Sequence, residues 1–323
     1  MKKLILIAIS FIALNAVAQN VGIGTSTPAY KLDVNGNLNI KGDSSIYISG
    51  TKVLSINGSH NLFLGIGSGN SNTSGMYNTS NGSNSLQNNT TGWLNTAIGS
   101  SALYTNVTGS YNTAVGFNAL YINTGSYNSA MGYDADVSSS TVNYSTIIGY
   151  GTTATASYQM RFGNSSVTSI GGQVGWTTIS DARVKTNIQS NVPGLDFILK
   201  LKPVTYNIDV TTLDKLLRPD GFKNTQTQEE SDAKTVKLKI VYTGFIAQDV
   251  EAIAKQVGYD FSGVDAPKND KDLYGIRYAE FVVPLVKAVQ EMNKQNQDQQ
   301  VLIEQLLKDN AEMKIQINSL LNK

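Results

Sequence analysis

NTAIGSSALYTNVTGSY, residues 95–111, runs without a break into NTAVGFNALYINTGSY, residues 112–127. Aligned on the first asparagine, Ala97, Ile98, Ala102 and Leu103 match Ala114, Val115, Ala119 and Leu120. The frame Asn-x-x-x-Gly recurs as Asn61/Gly65, Asn78/Gly82, Asn95/Gly99, Asn112/Gly116 and Asn128/Gly132, with Ser145/Gly149 as a sixth. The glycines therefore step by 17, 17, 17, 16 and 17. A unit of this size is one short strand plus a turn and cannot bury its own small apolar face. Neighbouring units must stack, and association of several chains is expected.

The flanks differ in texture. Between Lys52 and Asp181 the only formal charges are Asp134, Asp136 and Arg161, whereas beyond Ser180 the chain is charged throughout. With 323 residues, 41% of them hydrophobic, there is room for more than one folded unit. A net charge of +1 gives no electrostatic reason to expect nucleic acid as a partner. There is no cysteine and a single histidine, His60, so thiolate or histidine metal sites and an ordinary Ser-His-Asp triad are excluded. No cofactor motif is present: Gly22-Ile23-Gly24 and Gly65-Ile66-Gly67 lack the glycine spacing and the Lys-Ser/Thr of a phosphate loop. Asp134-Ala135-Asp136 reads as a solvated loop rather than a cation site.

On the N-terminal side, residues 1–18 carry Lys2-Lys3, an apolar run from Leu4 to Leu14 and the small-x-small ending Ala16-Val17-Ala18. This is the pattern of a secretory signal peptide, and the run is too short for a membrane anchor, so an exported protein with no membrane-spanning segment in the mature chain is expected. In residues 19–58, Leu32, Val34, Leu38 and Ile40 alternate around Asn35-Gly36, the signature of a hairpin, in a segment that resembles the start of exported tail-fibre-like proteins.

On the C-terminal side a short helix is expected around Leu195 to Leu201, ending at Pro203. Strands are read at Val204 to Ile208, Val236 to Tyr242 and Leu273 to Tyr278, a polar insertion at Thr211 to Thr235, and a helix at Phe245 to Val257. From Val282 a heptad begins. Val282, Val289, Asn296, Ile303, Asn310 and Ile317 alternate with Leu285, Met292, Gln299, Leu306, Met313 and Leu320 at spacings of three and four. A helix of that length reaches nearly 60 Å at about 1.5 Å per residue, too long to fold back on a small domain, so self-association is its natural use. Asn296, Gln299 and Asn310 are polar layers of the kind that fix register and strand number. The heptad alone leaves dimer and trimer open.

Two resemblances follow from these words. The repeats resemble the heads of trimeric autotransporter adhesins, which form a β-roll packed three to an axis, although the chain ends in Asn322-Lys323 without the strands of a translocating barrel. SDARVKTNI (Ser180 to Ile188), LKPVTYNI (Leu201 to Ile208), GFIAQDVEAI (Gly244 to Ile253) and YAEFVVPLVKAVQEM (Tyr278 to Met292) resemble the C-terminal intramolecular chaperone domain of phage endosialidase tailspikes. Related domains occur in other fibres and in a membrane-tethered myelin transcription factor. That resemblance implies a domain that trimerises, templates the fibre ahead of it and cuts itself off with a Ser-Lys dyad. Carried over by position, Ser180 is the nucleophile, Lys185 the base and Ile179–Ser180 the scissile bond, with Asp181 and Arg183 as supporting residues.

A lysine base working near neutrality must have its pKa lowered by about 3 units from about 10.4, at a cost of about 4 kcal/mol that burial must supply. Trimer assembly is the expected source of that burial. The competing reading makes Ser180-Asp181 a cap that opens an element and Lys185 a surface cation. The expected architecture is a multidomain chain: signal peptide at 1–18, N-terminal segment at 19–58, β-solenoid or β-roll repeats at 59–165, connector at 166–178, a small α/β chaperone domain at 179–281 and a long trimeric coiled-coil helix at 282–323. The expected function is an exported homotrimeric fibre or adhesin-like protein that cuts itself in cis; the alternative is one that trimerises without cutting. A hydrolase of external substrates is disfavoured because no catalytic carboxylates are grouped in the repeats. A cell-surface, matrix or glycan ligand is expected for the repeat body, although Trp93, Tyr104, Tyr111, Tyr121 and Tyr127 read as stacking ladders.

Overall fold

The structure, a computed structural model, describes residues 20–37, 45–56, 59–218 and 228–321. The signal peptide, Leu38, Ile40, residues 219–227 of the insertion and the last two residues lie outside the described residues. The chain divides into two compact units, Met1–Ser44 and Ser45–Lys323. In the first, β1 (Val21–Ile23) pairs in parallel with β2 (Leu32–Val34). The arm of the expected hairpin beyond Asn35-Gly36 falls among the residues not described.

The second unit opens with β3 (Ser45–Ile48) and β4 (Thr51–Ser55), an antiparallel pair that joins the first repeat strand through Leu54↔Leu64. Then come β5 (Leu62–Leu64), β6 (Thr79–Asn81), β7 (Thr96–Ile98), β8 (Thr113–Val115) and β9 (Ser129–Met131), followed by β10 (Asp136–Val137), β11 (Thr146–Ile148), β12 (Thr153–Ala154) and β13 (Met160–Phe162). All but β10 and β12, which form a separate parallel pair, belong to one nine-stranded sheet, parallel from β5 to β13. This is a β-solenoid of about six turns.

The repeat's composition follows from the narrowness of the coil. Ala97, Ala114, Ala130 and Ile147 occupy the centres of successive strands and are buried, together with Leu86, Leu103 and Leu120 from the turns. The frame glycine is required twice over. Gly99 has φ +124°, and a Cβ there would stand 2.4 Å from the Gly116 carbonyl oxygen of the next turn; Gly65, Gly82, Gly116 and Gly132 repeat the arrangement.

The frame asparagine closes the interior. The Asn78 Oδ1 accepts from the Asn95 backbone N–H at 3.0 Å, and its Nδ2 donates to the Gly92 carbonyl at 2.8 Å. Asn61, Asn95, Asn112 and Asn128 do the same one turn apart. A buried amide is tolerable only with its hydrogen bonds made, and stacking makes them. The 16-residue turn keeps this scheme: Asn106 Nδ2 reaches the Gly109 carbonyl three residues on, whereas Asn123 Nδ2 reaches the Gly125 carbonyl two residues on, so the corner absorbs the missing residue.

The aromatic residues stack between turns as read from the sequence. Tyr111, Tyr127, Tyr144 and Tyr158 form a column with ring centroids 4.6 to 5.0 Å apart, Tyr104 stacks on Tyr121 at 4.9 Å, and Trp93 meets Tyr111 edge-on at 4.8 Å. Most ring faces in the column are covered by the next ring.

Beyond the solenoid lies a small α/β region: α1 (Leu195–Ile198), β14 (Val204–Tyr206), α2 (Val210–Leu217), α3 (Gln228–Leu238), β15 (Tyr242–Gly244), α4 (Ala247–Gln256), β16 (Val264–Asp265), β17 (Gly275–Ile276) and the 40-residue α5 (Val282–Leu321). Its core is aromatic: Phe261 lies 5.0 Å from Phe197 and 4.8 Å from Phe281, with Val250 and Ala254 of α4 packed alongside. α5 docks on α1 by its first turns only, where Pro284 and Ala288 are buried and the Glu291 carboxylate accepts from the Leu195 backbone N–H at 2.8 Å. From residue 292 to 321 every residue is exposed, including the whole apolar part of the heptad seam from Met292 to Leu320.

Three expectations change. Val236 to Tyr242 is not one strand: Val236 to Leu238 end α3, and the strand starts at Tyr242 to pair with β14. The insertion is helical in its described parts, with Asp209 capping α2 by accepting from the Thr212 N–H at 3.0 Å. Asp134-Ala135-Asp136 is not a solvated loop. Asp134 is buried, and Asp136 accepts from the Ile122 N–H at 3.2 Å.

Candidate functional site

Between the solenoid and α1 the chain runs through a connector in which every residue from 167 to 191 is exposed. Its one regular element is a single 3-10 turn, Ala182–Val184. Asp181 precedes it in an extended conformation and accepts from the Arg183 backbone N–H at 2.8 Å. Lys185 closes it, donating its own N–H to the Ala182 carbonyl at 3.2 Å. One tight turn thus separates the side chains of residues 180 and 185 and returns one toward the other.

The result is a direct contact: Lys185 Nζ lies 2.7 Å from Ser180 Oγ. This is the donor–acceptor distance that proton transfer between an amine and a hydroxyl requires. The capping role falls to Asp181 alone, which leaves the Ser180 hydroxyl to the lysine. Arg183 is committed elsewhere. Its Nη2 and Nε grip the Asp181 carboxylate at 2.6 and 3.0 Å, and these bonds, with that from the Arg183 N–H, hold the Asp181 carboxyl below its ordinary range. Asp181 and Arg183 therefore shape the turn, and neither reaches the Ser180 hydroxyl by any hydrogen bond.

The apolar residues around the pair are little covered within one chain, although the Trp176 ring lies 6.2 Å from that of Phe162. Ile179, on the acyl side of the bond, is 83% exposed, Trp176 is 86% exposed, and Val174, Val184 and Ile188 are exposed as well. Five large apolar side chains within fifteen residues are thus left exposed to water. The remaining predicted residues are split by the fold. Val289 and Met292 stand at the base of α5, and Asn296, Gln299, Ile303, Leu306, Asn310, Met313, Ile317 and Leu320 follow along its unpartnered length.

Sequence reading missed the polar contact between the solenoid's last turns and α2, α3 and the loop before β17. Arg218, Lys237 and Asp272 carry it, at 65, 70 and 117 residues' remove from partners that a linear pattern does not connect. The one available signal was that Asp134, Asp136 and Arg161, the only charges of the repeat body, all fall in its final turns.

Searches of the curated proteins and of the solved structures return no significant match. Among protein families, residues 180–259 match Peptidase_S74, described as chaperone of endosialidase. The match opens on Ser180, the residue whose hydroxyl Lys185 holds. Residues 180–259 of this chain thus form an intramolecular chaperone domain like that of endosialidase, set behind a β-solenoid.

Proposed function

We propose that the protein is an exported homotrimeric fibre or adhesin-like protein whose C-terminal domain templates assembly of the solenoid and then cuts the Ile179–Ser180 bond. The observation that carries the chemical part is the 2.7 Å contact between Lys185 Nζ and Ser180 Oγ at the first residue of the family match. In the step envisaged, Lys185 takes the Oγ proton as Oγ adds to the Ile179 carbonyl carbon. The C–N bond breaks, Lys185 returns the proton to the departing Ser180 nitrogen, and Ile179 is left as an ester on Oγ. Water then hydrolyses that ester, giving an Ile179 carboxylate and a Ser180 with free hydroxyl and α-amine. No external substrate is consumed.

Two surfaces support self-association. The seam of α5 exposes Met292, Ile303, Leu306, Met313, Ile317 and Leu320 along a helix that one chain cannot cover. An isolated helix of this kind is marginal in water, and a knobs-into-holes partner stabilises it. The solenoid adds a column of outward strand positions, Leu64, Ile98 and Met131, each over 40% exposed. Three copies joined at α5 hold three solenoids at high effective concentration and in register for packing side by side. Export rests on the Lys2-Lys3, apolar-run and Ala16-Val17-Ala18 pattern. Any cell-surface, matrix or glycan ligand of the solenoid would meet mostly ring edges, because the column's faces stack on one another.

A second reading, in which the domain trimerises but stays uncut, is favoured by the exposure of residues 167–191 in a single chain. A denaturing gel with N-terminal sequencing separates the two. Self-cleavage yields a fragment beginning Ser180-Asp181-Ala182 that disappears in Ser180→Ala and Lys185→Ala; an intact band from the unmutated trimer refutes it.

A further inference from the structure

In the interior turns of the solenoid the frame asparagines and the strand backbones bond to the next turn, and the last turn has no successor. An open end of this kind needs a polar cover, or it recruits strands from other chains. The sequence prepares for one. The ladder asparagine gives way to Ser145 and then Gln159, and the strand-centre position that holds Ile147 in β11 holds Arg161 in β13.

Four donors from the C-terminal region meet backbone carbonyls of the final turns and of the first connector residue. Arg218, at the end of α2, donates through Nη2 to the carbonyls of Asp134 and Thr152, the latter at 3.1 Å, and through Nε to Thr153 Oγ1 at 2.7 Å. Lys237 of α3 reaches the Val167 carbonyl at 2.6 Å. In the loop before β17, Asn269 Nδ2 reaches the Thr155 carbonyl at 3.0 Å and Lys271 Nζ the Ser138 carbonyl at 3.1 Å.

Three carboxylates complete the match from the same side. Asp272 accepts from Thr155 Oγ1 at 2.5 Å and Gln159 Nε2 at 3.1 Å, with Arg161 at 3.7 Å. Glu230 accepts from the Tyr150 hydroxyl at 3.1 Å, and Asp214 from Ser165. Lys234 lies between these two, 2.5 Å from Asp214 and 3.6 Å from Glu230. Burial pulls the Arg218 guanidinium down from its ordinary value against the carboxylates of Asp136, Asp134 and Asp214. A cation placed there is matched to its site rather than laid on a surface.

All of these donors and carboxylates lie C-terminal to the Ile179–Ser180 bond, while the side-chain hydrogen bonds of residues 180–191 join that segment only to itself. We infer that the end of α2, α3 and the loop before β17 form a permanent end-cap on the solenoid's own last turn, so that cutting Ile179–Ser180 nicks the chain without parting the two pieces. The partner recognised is a carbonyl-rich β edge, and after the cut the contact becomes intermolecular. This rests on the proposed cut, but its test does not.

A specific endoprotease site is inserted between Gly171 and Gly172 of the full chain carrying Ser180→Ala and a C-terminal affinity tag. The assembled protein is cut with the added protease and captured by the tag at neutral pH and moderate salt. Retention of the solenoid fragment at one copy per tagged fragment is expected. Complete cutting with the solenoid fragment in the wash overturns the proposal. In the same chain with Asn269→Ala, Lys271→Ala and Asp272→Ala, loss of these contacts lowers retention by about tenfold or more. Undiminished retention in that variant also overturns it, because some other surface then holds the pieces. Failure of self-cleavage shows separately, as an uncut chain when Ser180 is present.

Discussion

The solenoid and the connector differ in how much one chain can finish alone. In the solenoid the polar groups that face inward meet the next turn: Asn95 is fully buried, yet its side chain bonds the Gly109 carbonyl, Asn78 and the Asn112 N–H. In the connector Ser180 and Lys185 are in contact, but every residue from 167 to 191 is exposed. Geometry is therefore local and cheap, whereas the dry environment is not. A 3-10 turn suffices to set Ser180 against Lys185, and desolvating them takes atoms that this chain does not place there. That division is what an assembly-gated reaction needs.

Substitutions test the contrast from the solenoid side first. Gly99→Ala forces a Cβ to 2.4 Å from the Gly116 carbonyl at φ +124° and should cost on the order of 3 kcal/mol or more, read as a large fall in the melting temperature of the body. Asn95→Ala leaves a buried N–H and carbonyls unpaired and should cost roughly 2 to 3 kcal/mol by the same readout. If either matches an exposed-site substitution, the solenoid is not closed in the way described.

Acid should loosen the end-cap next. Burial raises the Asp272 carboxyl, but hydrogen bonds from Thr155, the Lys268 N–H and Gln159 outweigh it and leave the group below its ordinary value near 3.8. A depressed carboxylate stabilises the folded contact above that value and loses its contribution as pH falls through the lowered one. Arg161 is the charged group facing it, 3.7 Å away. Retention of the nicked solenoid is thus constant from neutrality to about pH 4 and declines below. Asn296→Ile should act more gently and with opposite sign, raising the melting temperature of the α5 assembly by a few degrees while broadening its distribution of oligomers. Smallest of all, Asp181→Ala should leave the body's melting temperature unchanged, since its bonds are confined to the exposed turn.

The same contrast explains what the sequence made legible. The solenoid was readable because each constraint repeats: the glycine that approaches the next glycine and the asparagine that caps the next strand recur at the turn period. The heptad was readable for the same reason. Ser180 and Lys185 came from the wording of one short motif, and the structure brings them into contact. Contacts made once were not readable. Val236-Lys237-Leu238-Lys239-Ile240 alternates as a strand does, yet its first part is helical and Lys237 is drawn to the Val167 carbonyl 70 residues away. Asp134 and Asp136 looked solvated because Arg218, the cation beside them, lies more than eighty residues on.

The central claim is that the dyad acts only when chains assemble. Ile303→Lys with Leu306→Lys breaks the α5 seam at positions that are exposed within one chain. The fraction of chains cut after Ile179, measured by intact mass alongside oligomer size, then decides the matter. The account predicts a cut trimer for the parent and an uncut monomer with a folded solenoid for the variant; a monomer cut as completely as the parent would contradict it.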